Sequence, residues 1–129
     1  MLTGELSARL TSESLVPSGY TVIRGRMPAT PDKVIALAET PGLLPWDEFS
    51  TTVEQPGFQV MVRDVAYDYD TPRATIEAIY QAMEGWGAFT ASGTRYLRVA
   101  PQQPPFLLSR DEDERVTFVF NAIAEKEMS

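Results

Sequence analysis

The sequence predicts an α+β fold: one mainly antiparallel mixed β-sheet packed against two helices. Three observations predict it. Two stretches carry apolar residues at helical period, and several others alternate or run apolar at strand length. No internal repeat or low-complexity linker divides the chain, so residues 1–129 are expected to form one domain.

Leu2, Leu6 and Leu10 fall at i, i+4 and i+8, one face of a helix, with Glu5, Arg9 and Glu13 on other faces. Pro17-Ser18-Gly19 stops it. Tyr20 to Gly25 is rich in β-formers and reads as a short strand. Met27 to Asp32 is a loop marked by two prolines. Val34 to Ala38 is a continuous apolar run, suited to a strand covered on both faces. Pro41 to Pro56 reads as the longest irregular stretch and carries Leu43, Leu44, Trp46 and Phe49.

Phe58, Val60 and Val62 alternate with Gln59, Met61 and Arg63, which predicts a strand over Phe58 to Val65. Thr71 suits an N-cap and Pro72 the first helical position. Ile76, Ile79, Tyr80 and Met83 then form an amphipathic stripe, so a helix is expected from Thr71 to Gly85. Thr94 to Ala100 and Arg115 to Ala124 are further strands, Phe118 and Phe120 facing one way and Val119 and Ile123 the other. Between them, Pro101 to Pro105 is expected not to pair in a central sheet, because proline lacks the ladder donor. Ala124 to Ser129 reads as a frayed polar tail. Ile76, Ile79, Met83, Val60, Val62, Leu97, Phe118 and Phe120 are the expected core.

The composition narrows the function. A formal net charge of -7 opposes general binding to phosphate backbones and keeps free subunits soluble. The chain has no cysteine and no histidine, which removes disulfides, thiolate nucleophiles, the Ser-His-Asp relay and the common soft metal ligands. With Lys33 and Lys126 as the lysines, Ser-Lys chemistry has little to work with. The start of the chain lacks a basic n-region and long apolar h-region, so no signal peptide is expected. No apolar run approaches the ~20 residues of a membrane span.

Two acidic groups stand out, Asp64, Asp68 and Asp70, and then Asp111, Glu112, Asp113 and Glu114. Neither has the spacing of a calcium loop, and charge runs usually solvate. Asp70 suits a helix N-terminus. Gly85-Trp86-Gly87 lies at a helix end, where it cannot cradle phosphate. No cofactor, metal or catalytic residue is therefore expected. Trp46, Phe49, Trp86 and Phe106 lie in or beside loops, either covering the core's rim or anchoring a partner. Arginines far outnumber lysines and, with many carboxylates, fit subunit–subunit ion pairing.

Several pieces in order resemble the bacteriophage tail-terminator family, often labelled minor capsid protein. They are Met27 to Asp32 before an apolar strand, Gln59 to Arg63, Ala74 to Met83, Gly93 to Leu97, Pro105 to Glu112, Arg115, and the Phe118 to Asn121 strand. Ser109 stands where family members usually have a glycine nearby. The resemblance implies a non-enzymatic virion protein of a siphophage tail, assembled in the host cytoplasm. It implies a homo-oligomeric ring, typically a hexamer, capping the tail tube protein and docking the head-completion or neck protein. Genome DNA would pass through without tight binding, and no membrane is involved. The Pro41 to Pro56 segment and the Pro101 to Glu114 connection become the expected subunit contacts, with Trp46, Phe49, Phe106 and Arg110 as the expected interface residues. Asp111, Glu112, Asp113 and Glu114 would face either the lumen or an arginine of the next subunit. The alternatives are a head-completion or tail-tube-like neck protein, and a small acidic ligand- or metal-binding enzyme.

Overall fold

A computed structural model describes residues 2–43, 53–91 and 93–127. The leucine stripe forms the inner face of α1 (Leu2–Ser12), and Leu2, Leu6 and Leu10 are all buried. β1 (Thr21–Arg24) follows, and the proline-marked Met27 to Asp32 stretch is a loop as expected. β2 (Val34–Leu43) begins with four residues buried on both faces, Val34 to Leu37.

The stretch expected to be irregular from Pro41 to Pro56 is shorter than the sequence suggests. β2 continues to Leu43, and β3 (Val53–Arg63) begins ten residues later. The two long strands pair antiparallel, and the register breaks between Thr40 and Leu43 to accommodate the prolines. Gly57 makes this possible: a Cβ there would sit 2.5 Å from the Thr40 hydroxyl and 2.7 Å from the Pro41 carbonyl oxygen.

α2 (Asp70–Glu84) packs Ile76, Ile79 and Met83 inward, as the stripe predicts. Its start differs from expectation. Thr71 is not the N-cap: Tyr69 holds that position without a side-chain bond, and the Asp68 carboxylate accepts the Thr71 N–H at 3.0 Å. Pro72 is thus the third helical residue, still within the first turn whose N–H groups have no intrahelical partner. Gly85 caps the other end.

β4 (Phe89–Ala91), β5 (Thr94–Pro101), β6 (Phe106–Arg110) and β7 (Val116–Glu127) complete the chain. β4 and β6 are absent from the sequence reading. Pro101, expected outside the ladder, closes β5 opposite Ala122. The expected frayed tail is strand as far as Glu127, because β3 holds Lys126 and Glu127 from one side and β5 holds Lys126 from the other. Leu97, expected in the core, is half-buried. A register shift between Tyr96 and Arg98 turns Tyr96 and Val99 inward in its place.

The strand order is β1-β2-β3-β7-β5-β4, with β6 also paired to β7. β1 runs parallel to β2 and every other pair is antiparallel. β7 is long enough to carry two strands end to end on one edge: β6 beside Val116 to Val119 and β5 beside Ala122 to Lys126. Asn121 falls near the gap, and the link supplies its partners. Gln102 donates its N–H to the Asn121 carbonyl at 2.8 Å, and the Gln103 side chain accepts the Asn121 N–H at 2.7 Å.

Both helices contribute to the same core. Leu6, Leu10, Ile76, Ile79 and Met83 meet Phe58, Val60, Val62, Phe118 and Phe120. The other sheet face has a smaller cluster, Val34, Ala36, Met61 and Val119, covered by Ile23, Met27 and Ala38.

Candidate functional site

The scattered pieces of the Met27 to Asp32 loop, Arg63, Asp111 and Arg115 converge in space. Arg63, at the end of β3, points into the loop's backbone. Its guanidinium donates to the carbonyls of Pro28 at 2.6 Å, Asp32 at 3.2 Å and Pro31. Arginine suits this task, since its planar fork presents five donors in fixed geometry. Burial, and then the nearby Arg115 charge, pull the Arg63 pKa below its ordinary value. Arg115 completes the clamp by donating to the Ala29 carbonyl at 2.8 Å and the Asp32 carboxylate at 3.0 Å.

Arg115 also organises the acidic turn. Asp111 accepts the backbone N–H groups of Asp113 and Arg115 on one oxygen and the Arg115 Nε–H, at 2.8 Å, on the other. These bonds, led by the Arg115 N–H, hold the Asp111 pKa below its usual value. Burial works against the Arg115 charge, but its bonds to Asp32 and Asp111 outweigh it and raise the pKa. Asp113 lies 3.6 Å from Arg115, and Glu114 pairs with Arg110 at 3.2 Å. Three of the four acids thus have partners within the chain. Among the described residues, Glu112 has no ion pair.

The first acidic group serves three separate local purposes. Asp64 is buried and accepts the Tyr20 hydroxyl and the Val65 N–H, with Lys33 3.6 Å away. Burial, then this bond, raises the Tyr20 pKa. Asp68 caps α2, and its bond from Thr71 lowers its pKa. Asp70 sits in the first helical turn. Among the described residues, no three acids gather as a metal site would require.

Next to the acidic turn, the β3–α2 connection is held in an uncommon conformation. Tyr67 and Glu114 both have positive φ, 64° and 62°, and the Tyr67 N–H donates to the Glu114 carbonyl at 2.9 Å. Tyr67 is nevertheless 84% exposed. Tyr69 stands edge-on to Phe118 with ring centroids 5.0 Å apart. Opposite Phe118 on β6 is Leu107.

This corner gathers the exposed large apolar side chains of the described residues: Val65, Tyr67, Tyr69, Phe106, Leu107 and Leu108. β6 is exposed along its whole length and, among the described residues, pairs with β7 alone, which leaves its outer edge open there. Phe106 and Arg110, two of the expected interface residues, lie on this strand. Trp46 and Phe49 lie outside the described residues. Trp86 covers the core's rim, with Arg9 over its ring at 5.0 Å and Phe89 beside it.

Sequence reasoning missed Arg63, Tyr67 and Tyr69, and it placed Leu107 and Leu108 in a contact-forming connection without reading that connection as a strand. The apolar triplet Phe106-Leu107-Leu108 after two prolines was a usable strand-edge signal. Nothing in the sequence distinguished Arg63 from a solvent-facing strand residue.

A sheet with both helices on one face, an arginine-clamped loop and an open apolar strand edge offers an assembly component's surfaces, without a catalytic constellation among the described residues. A family profile described as bacteriophage tail terminator protein matches residues 9–128, nearly the whole chain. The chain belongs to the bacteriophage tail terminator protein family. No curated protein matches it. Family membership implies a structural component of the virion tail.

Proposed function

We propose that this protein is a tail-terminator subunit that closes into a ring, expected to be hexameric, on the end of the tail tube. The ring stops tube growth and offers its other face to the head-completion or neck protein. The observation that carries this reading is the apolar corner of Tyr67, Tyr69 and Phe106 to Leu108 at an open strand edge, on a chain of the terminator family. Exposed large apolar side chains grouped along an open strand edge mark a contact surface. The net charge of -7 supports passage of DNA without retention, since like charges repel phosphates. Glu112, with no ion pair among the described residues, is the acid of the turn best placed to face either a lumen or an arginine of the next subunit.

The test is to disrupt the gene and measure tails by electron microscopy. Tubes of uncontrolled length, without attached heads, are expected, and supplying the protein should restore fixed length. Tails of normal length joined to heads would overturn the reading.

A further inference from the structure

A ring built head to tail needs two different, mutually complementary patches on each subunit. The β6 corner supplies one. At the opposite edge of the same sheet, β1 pairs, among the described residues, with β2 alone, leaving its other side open. There an open groove of about 460 Å³ runs between α1 and β1, lined by Thr3, Ser7, Val22 and Ile23 among others. That volume accommodates large apolar side chains such as those of Leu107 and Leu108. Arg24 and Glu39 also line the groove, and neither has an ion pair among the described residues. The β6 hairpin carries the matching charges: Arg110, exposed and engaged with Glu114, and Glu112 without an ion pair.

We infer that the Phe106–Arg110 strand edge of one subunit docks in the α1–β1 groove of a second copy of this chain, with Arg110 facing Glu39 and Glu112 facing Arg24. This rests on the ring-forming reading above and specifies which two surfaces close the ring. Open strand edges pair readily with one another, and the groove's Val22 and Ile23 together with the opposite charges of Arg24 and Glu39 select this partner. Because β2, β3 and β7 lie between β1 and β6, each subunit offers both halves of the contact at once.

The absence of cysteine makes the test direct. Phage are made with the Ser7→Cys/Leu108→Cys double variant, and purified tails are treated with a short bismaleimide. A ladder of covalent multimers is expected. Tails assembled from a mixture of the two single variants should yield dimers and no higher species, and each single variant alone should remain monomeric. Tails of normal length that contain the double variant but yield monomer alone would overturn the docking while leaving the ring intact. Wild-type tails that lack the protein altogether would overturn the ring reading, and the docking with it. Should the cysteine variant fail to incorporate, a charge exchange decides. Arg24→Glu and Glu112→Arg should each lower incorporation at least about tenfold, and together restore it. Equal loss in the combined variant would overturn the docking.

Discussion

Phe118 and Leu107 are direct partners across the β6–β7 ladder, yet one is 1% exposed and the other 45%. The difference lies in what covers them. Phe118 sits on the central strand pair beneath α2, with Tyr69 against its ring. Leu107 stands one strand further out, beyond the core assembled by the two helices. Similar apolar chemistry on adjacent strands therefore serves folding in one place and offers itself to a partner in the other. The helix-covered region ought to set stability and the β6 corner assembly.

Substitutions can separate the two. In the covered region, Phe120→Ala removes a ring that meets Tyr80 edge-on at 5.6 Å, and Ile79→Ala opens the same core. These should cost about 3–5 and 2–5 kcal/mol, measured by denaturant unfolding of the isolated subunit. Leu107→Ser should instead cost about 1 kcal/mol or less in that measurement while lowering incorporation into tails. A reversed order, with Leu107 dominating stability, would break the comparison.

The arginine clamp lies between these extremes. Arg63→Met should keep the packing volume but leave the Pro28, Pro31 and Asp32 carbonyls without their donor. A loss of about 1–3 kcal/mol is expected, since a buried acceptor left unmade costs that much. Hydrogen exchange should localise the loosening to the Met27 to Asp32 loop. Unchanged protection there would remove Arg63 from this role.

The smallest effect belongs to the acidic turn and has a pH signature. The Asp111 pKa is held below its ordinary 3.8 in the folded chain. A depressed folded pKa means that its stabilisation is complete above the unfolded value and is lost as pH falls through the folded value. Wild type should therefore exceed Asp111→Asn in stability at neutral pH, with the gap closing below about pH 4. A gap independent of pH would show that charge is not involved.

Much of this architecture was legible in the chain. The stripes Leu2, Leu6, Leu10 and Ile76, Ile79, Met83 identified both helices, because a 3.6-residue period leaves one face to bury. The alternation through Phe58 to Val62 and Phe118 to Phe120 identified β3 and β7 and the face of each that meets the helices, but not that Met61 and Val119 on the opposite face are buried as well. Strand ends were less legible. Pro41, Pro101 and the Ala124 to Glu127 segment read locally as breaks or tail, and long-range pairing overrode them. Of the candidate site, the sequence pointed to the Pro101 to Glu114 segment with Phe106, Arg110 and the acids of the turn, but not to Tyr67 or Tyr69.

By itself, then, the sequence determined the fold class, the two helices, the inward faces of the principal strands and the lack of histidine and cysteine chemistry. These depend on composition and local period. Tertiary structure decided that Arg115 reaches Asp32 and Ala29, that Arg63 turns into a loop instead of solvent, and that β6 is left at an edge. Partners distant in sequence meet through strand order and register, and a residue's exposure depends on which element lies above it. Neither quantity is written in a local pattern of residues.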